Sequence, residues 1–374
     1  MKPDLMGMSF AELERLLASM GEQPYRGRQI AEWLYRHGAS AFAEMTTLSK
    51  CLRERLEREA RIGKLDAAAE TTSAEGDARK WLFRLEDGEA VETVLMRLKN
   101  SRSVCLSTQV GCPVGCRFCA TGALGFRRNL TAGEIVGQFL EARRLVAEDE
   151  RPTHAVFMGM GEPLLNLDAV ERAIRILLSP GGPALGPRRI TVSTCGIVPG
   201  IRRLAAAGLR TELAVSLIAA DEQTRRRLFP PAEKYPLDEL LRAARDYAAA
   251  IGRPVTFEYV LLKGINDSLP DAQRLKKLIR GIPCKVNLIR YNPAPAQGAA
   301  PAVESARGQG VGSPSGGAAA GAARLEASAE SRLAEFQRWL ASSCIAVTVR
   351  RSKGAGIGAA CGQLGASRRA EGRF

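Results

Sequence analysis

Apolar positions recur at helical spacing from Phe10 to Met20 and from Arg28 to His37, and Leu52 and Leu56 share one face of the charged run Leu48–Ala60. This pattern predicts three helices at the start of the chain. Two short runs, Lys80–Arg84 and Ala90–Arg97, then read as a hairpin. From about Ser103 the pattern changes to short apolar runs alternating with helical segments. Strands are expected at Val104–Ser107, His154–Met158, Arg189–Ser193, Glu212–Leu217, Val255–Leu262 and Lys285–Tyr291. The helices between them are expected at Thr131–Ala147, Leu167–Leu178, Ile201–Ala207, Leu237–Ala250 and Leu269–Ile279. Thr131 and Glu134 have the spacing of a capping box at the first of these. Six β-α units in series predict a parallel sheet, and strands this apolar are expected to be covered on both faces. A partial or complete barrel and a doubly wound sheet both satisfy that pattern.

The periodicity stops between Ala294 and Ala323, where Gly, Ala, Pro and Ser dominate. Such a segment has too little apolar surface to offset its ordering entropy, so it reads as a flexible insertion. A last helix, Leu325–Leu340, and a strand, Ile345–Arg350, follow before a glycine-rich tail from Gly354. The expected organisation is a small helical accessory domain over residues 1–94, a catalytic core over 95–364 interrupted at 294–323, and a short tail over 365–374.

Composition adds two constraints. Fifty-four Lys and Arg against forty Asp and Glu leave a formal charge of +14, which favours a polyanionic partner through counterion release. No apolar run resembles a signal sequence or a membrane span, so a cytoplasmic location without membrane attachment is expected. The nine cysteines are clustered and odd in number, which points to metal or redox chemistry rather than a disulfide scaffold.

The densest chemistry lies in Cys112-Pro-Val-Gly-Cys116-Arg-Phe-Cys119, between the first core strand and the first long helix. Three thiolates on one loop can hold three irons of a cubane cluster and leave the fourth iron open to a small molecule. The competing readings are a zinc site completed by a distant cysteine and unliganded core thiols. His37 and His154 are both remote from this loop in sequence.

Cys-x3-Cys-x2-Cys after a first strand resembles the radical S-adenosylmethionine superfamily signature. The segments Val104-Cys-Leu-Ser-Thr-Gln-Val-Gly-Cys112, Gly159-Met-Gly-Glu-Pro163, Val192-Ser-Thr-Cys-Gly196, Tyr291-Asn-Pro293 and Ala360-Cys-Gly-Gln-Leu364 resemble the adenine-C2 RNA methyltransferases. Gln23-Pro-Tyr-Arg-Gly-Arg-Gln-Ile30 and Glu44-Met-Thr46 are similar to the accessory domain of that family. The resemblance implies a partial, TIM-like (β/α)6 radical S-adenosylmethionine barrel with a small helical N-terminal domain.

It also implies roles. Cys112, Cys116 and Cys119 would hold a [4Fe-4S] cluster. Gly161, Glu162, Ser193, Ser216, Leu217, Ile218 and Asn292 would contact S-adenosylmethionine, two molecules of which serve each turnover. Cys361 would carry the methyl group, Cys105 would resolve the RNA adduct by forming a disulfide, and Glu92 would accept the proton from C2. Phe118 would shield the cluster from water. The implied substrates are the peptidyl-transferase-centre adenine of 23S rRNA and the adenine 3′ of the anticodon in tRNAs. The enzyme is expected to be a monomer fed by an electron donor such as flavodoxin or ferredoxin. Enzymes that methylate C8 share the same cysteine set and stand as the nearest alternative; a non-enzymatic zinc-bound RNA-binding protein is the alternative of another class. The chain departs from the family at Ile218, where His or Asn is frequent, and in a tail, Gly354-Ala-Gly-Ile-Gly358, without acidic residues. Cys51, Cys195, Cys284 and Cys344 are expected to be structural.

Overall fold

The computed structural model describes residues 2–293, 325–341 and 345–365. The insertion expected at 294–323, Cys344 and most of the tail expected at 365–374 lie outside the described residues. Three helices open the chain: α1 (Phe10–Ser19), α2 (Tyr25–Ala31, running on into a π-helical turn, Glu32–His37) and α3 (Lys50–Glu59). Leu13 and Leu17 of α1 and Leu52 and Leu56 of α3 are buried, as their helical spacing requires.

An antiparallel meander follows, with β1 (Asp66–Thr72), β2 (Ala78–Arg84), β3 (Ala90–Leu98) and β4 (Ser101–Cys105) each paired to the next. The boundary expected between residues 94 and 95 falls inside β3, which is bonded to β4 along its second half. The meander and the core therefore share one sheet. Strand β1 escaped the sequence reading because Asp-Ala-Ala-Ala-Glu-Thr-Thr is exposed at every position and carries no alternation.

From β4 onward the sheet is parallel: β7 (His154–Phe157), β8 (Ile190–Thr194), β9 (Glu212–Ser216), β10 (Val255–Leu261), β11 (Cys284–Arg290) and β12 (Ala346–Arg350) add in chain order. The crossover helices are α4 (Ala132–Arg144), α5 (Leu167–Leu178), α6 (Val198–Ala206), α7 (Glu222–Leu228) with α8 (Leu237–Ile251), α9 (Leu269–Leu278) and α10 (Glu330–Ala341). A small hairpin, β5 (Gln109–Gly111) with β6 (Phe126–Asn129), brackets the cysteine loop. The ten-stranded order runs from β1 to β12 without the two ends pairing, so the barrel is open. Side chains of β3, β4 and β7 to β12 nevertheless face one cavity, which requires the sheet to curl around it. The fold is thus the open α/β barrel expected, with β12 as a seventh parallel strand.

Helix α4 starts at the Thr131 capping box: Thr131 Oγ1 accepts from Glu134 N at 3.1 Å, and Glu134 Oε2 accepts from Thr131 N at 2.8 Å. The N-terminal helices sit on this side of the core. Glu12 pairs with Arg172 of α5, and Tyr35 Oη donates to Met8 O while accepting from Gly7 N. Gly133 makes the approach possible, since a Cβ there would lie 2.4 Å from Met6 O. Gly133→Ala should therefore lower stability by about 1–3 kcal/mol through overpacking, read from thermal unfolding. An unchanged melting temperature would show that the backbone of the N-terminal segment yields freely.

Candidate active site

The cysteine loop lies beyond the carboxyl end of β4, where loops of a parallel barrel collect. Cys112 N donates to Gly125 O at 2.8 Å and Cys119 N to Cys116 O at 3.2 Å, so the loop is tied at both ends. Arg117 N donates to Leu228 O at 3.1 Å, anchoring its centre on α7. Cys112, Cys116 and Cys119 line a cavity of about 170 Å³ with Phe118, Gly161, Glu162, Ser193, Ser216, Asn292 and Cys361. Burial pushes all three loop thiols up, Cys112 to about 12. Among the described residues no three His, Cys, Asp or Glu side chains converge on a single ion. A cubane asks instead that each thiolate take a different iron. The donor set, three thiols and the strand-end polar groups on one cavity, fits such a cluster with an amino-acid-bearing cofactor beside it.

Five of the seven residues expected to contact the cofactor line this cavity: Gly161, Glu162, Ser193, Ser216 and Asn292. Leu217 and Ile218 do not. Both are buried, and Ile218 packs with Val114, Leu228 and Phe229. Ile218 holds a left-handed backbone, φ 71°, that is costly for a β-branched residue, and its carbonyl accepts from Asn266 Nδ2 at 2.8 Å. Gly161 is required by two facts together: its φ is 99°, and a Cβ would lie 2.6 Å from Gln109 Cβ.

Glu162 is almost fully buried. Its Oε1 accepts from Leu164 N at 3.0 Å, while Oε2 accepts from both Cys195 N and Cys195 Sγ at 2.9 Å. Burial pushes this carboxyl up, against the pull of those donors. Cys195, expected to be merely structural, therefore faces the cavity beside the loop thiols. Its place in Val192-Ser-Thr-Cys-Gly196, at a strand's carboxyl end, was the available signal.

Cys361 reaches the same cavity from the tail, although it is far from the loop in sequence. Asn292 Nδ2 donates to Cys361 O at 3.4 Å, Gln363 Nε2 to Pro293 O at 2.9 Å, Ala120 N to Gly362 O at 2.7 Å and Thr121 Oγ1 to Leu364 O at 2.7 Å. These bonds dock the tail across the cysteine loop. Cys361 also lines a second cavity of about 500 Å³ that contains Cys105 and runs from the amino ends of β8 to β11 up to the carboxyl ends of β4 and β12. Cys105 is buried, and burial pushes its thiol up to about 12, helped by the nearby Cys361 and opposed by Arg350. The structure thus brings both remote cysteines to one chamber.

Glu92 stands apart. It is fully buried and lines neither cavity. Its Oε1 lies 3.3 Å from Lys80 Nζ, and its Oε2 accepts from Gly365 N at 2.6 Å. The tail that positions Cys361 thus also covers Glu92.

No helix among the described residues is long and apolar enough to cross a membrane. Residues 106–275 match the family described as the Radical SAM superfamily, and residues 3–62 match the ribosomal RNA large subunit methyltransferase N-terminal domain. The chain is 47% identical to a probable dual-specificity RNA methyltransferase RlmN of Pelotomaculum thermopropionicum, over 96% of this chain and 90% of the relative. It is 44% identical to the dual-specificity RNA methyltransferase RlmN of Anaeromyxobacter sp. strain Fw109-5, over 98% and 91%. The crystal structure of a radical SAM methyltransferase from Sphaerobacter thermophilus superposes with a TM-score of 0.86 at 43% identity, covering 97% of this chain and 99% of that one.

Proposed function

This chain belongs to the RlmN family of dual-specificity RNA methyltransferases, radical S-adenosylmethionine enzymes, and on that premise we propose that it methylates C2 of adenine in 23S rRNA and in tRNAs through a methylated Cys361. The observation that carries the reading is the position of Cys361, on the wall shared by the cavity of the three loop thiols and the chamber of Cys105. A thiol there can meet cofactor, base and resolving cysteine without leaving the site.

In this proposal Cys112, Cys116 and Cys119 hold a [4Fe-4S] cluster, and Gly161, Glu162, Ser193, Ser216 and Asn292 seat S-adenosylmethionine beside it. Leu217 and Ile218 support that seat from behind. The bound cluster and cofactor supply a methyl cation equivalent in one encounter and a hydrogen-abstracting carbon radical in the next. Carbon 2 of adenine lies between two ring nitrogens and is electron-poor, so a radical adds to it where an ionic methylation fails. The Cys361 thiolate takes the first methyl and then presents it for hydrogen abstraction. The resulting methylene radical on Cys361 would bond to C2, and the adduct would return one electron to the donor that supplied it and lose its C2 proton. Cys105 would then attack the Cys361 sulfur, breaking its bond to the new methylene, which takes up a proton to become the methyl group as the disulfide forms. Glu92 accepts the C2 proton once Lys80 and Gly365 N–H let go of its oxygens. Glu92→Gln should then leave Cys361 methylation intact and slow product formation by roughly 10²-fold. Equal losses in both steps would assign Glu92 to holding the tail alone.

Residues 1–94 are proposed to help place the RNA, but they are not themselves cationic, with 14 Lys and Arg against 17 Asp and Glu. The salt response belongs to the +14 of the whole chain, whose binding to a 23S rRNA fragment should weaken by roughly 10³-fold between about 50 and about 200 mM salt. A flat salt response would contradict this. The reaction itself is tested by mass spectrometry of RNA from a strain lacking the protein. A methyl group should vanish from adenine C2; loss from C8, or no loss, would overturn the reading.

A further inference from the structure

The chamber below Cys361 has a polar floor that the proposed chemistry does not use. Glu212, Thr256, Lys285 and Asn287 project into it from the first halves of the parallel strands, with Arg188, Arg351 and Lys353 around it. Glu258, in the middle of β10, lines both this chamber and the cofactor cavity. It is 5% exposed. Its Oε1 accepts from Asn287 Nδ2 at 3.1 Å, and Arg350 Nη1 stands 3.9 Å from the same oxygen. Its Oε2 is buried and has no hydrogen-bond partner among the described residues.

Leaving a buried carboxylate oxygen unpaired costs free energy, so such a group marks the place where a ligand supplies the missing donor. Burial pushes the carboxyl up while Arg350 and Asn287 pull it down. Asn287 is itself fixed, because its Oδ1 accepts from Thr348 Oγ1 of β12. The acceptor is therefore held rigidly on a barrel strand rather than on a loop. The chamber that Glu258 lines is rimmed by cations, which suits a nucleotide carrying phosphates.

We propose that Glu258 is a specificity-determining residue whose Oε2 accepts a hydrogen from the exocyclic amino group of the target adenine, seated in the chamber beneath Cys361. The inference rests on the RNA-methylating reading above and adds the group that selects the base. Guanine, with a carbonyl at the same ring position, would set oxygen against oxygen there. The methionine-bearing cofactor also contains an adenine, so the same acceptor could serve either nucleoside. Glu258 borders both cavities, and the target is favoured because Arg188, Arg351 and Lys353, which suit the phosphates of an RNA, surround the chamber and not the cofactor cavity.

The test uses the cluster-loaded full-length enzyme and tRNA transcripts carrying either adenosine or purine riboside at the target position. The wild type should methylate the purine riboside roughly 10- to 100-fold less efficiently, since Oε2 is then left unpaired. In Glu258→Gln the amide oxygen keeps Asn287 and the NH2 faces the base. That variant should lose about the same factor on adenosine and no longer discriminate between the two transcripts. Its iron content and its methylation of Cys361 should stay at wild-type levels. Loss of Cys361 methylation in parallel would assign the carboxylate to the cofactor and overturn the proposal, as would equal wild-type rates on both transcripts. A wild-type enzyme that methylates neither transcript nor an rRNA fragment would sink the RNA-methylating reading itself, a different failure from methylation indifferent to the amino group.

Discussion

Cys105→Ala protein isolated from cells is expected to carry RNA joined covalently to Cys361. The two thiols share one chamber, yet in the proposed sequence they act at different times: Cys361 from the first methyl transfer, Cys105 only at release. Removing a group used only in the last step traps the intermediate before it. A denaturing gel should show a slower band that ribonuclease removes, absent from Cys105→Ala/Cys361→Ala. Multiple turnover should fall by roughly 10⁴-fold or more in either single variant. The two should differ in their stalled species, since Cys361→Ala has no acceptor for the first methyl. The release step should also respond to pH in a definite direction. Burial pushes the Cys105 thiol up to about 12, and only its thiolate attacks. Single-turnover release should accordingly rise about tenfold per pH unit across the neutral range, because the thiolate fraction rises by that factor below the pKa. Normal methylation in both variants, with no bound RNA, would remove these cysteines from the mechanism.

Replacing any one of Cys112, Cys116 and Cys119 by Ala should abolish both the iron and the activity. Protein reconstituted without oxygen should be brown and hold about four irons per chain, as three thiolates on a cubane imply. Cys195→Ser supplies the control. Its Sγ lies beside the loop thiols but donates to Glu162 Oε2 at 2.9 Å, a bond that a hydroxyl can replace, so the iron should remain. Iron loss in Cys195→Ser would make that residue part of the cluster site. Stoichiometric zinc with no iron uptake under reducing conditions would remove the radical reading altogether.

Much of this was legible before any fold was known, and for a local reason. A helix or strand writes its buried face into the spacing of its apolar residues, so α5 was expected at the bounds it has, Leu167–Leu178, and the six core strands were placed within a few residues. The Thr131 capping box and the Cys112–Cys119 loop are likewise complete within a few positions of chain. Elements with no such imprint were missed: the wholly exposed β1, the three-residue β5 and the short charged α7.

Relations between distant segments depend on strand register and on where the tail docks, and neither is a property of any one window of sequence. Glu258 reads alone as one more polar residue in a strand. Only its pairing with Asn287, and the lack of anything opposite Oε2 among the described residues, marks it as an acceptor waiting for a donor. Glu92 is a candidate base only through the family resemblance, and the tertiary structure places Lys80 and Gly365 N–H on its oxygens. The sequence by itself determined that three thiols share one loop within a β-α series, because both are local patterns, and its resemblance to a family gave those thiols their expected cluster. The tertiary structure alone decided which groups meet, because curling the sheet puts Cys105 and Cys361 on one chamber and the tail's hydrogen bonds hold Cys361 on the wall between the two cavities.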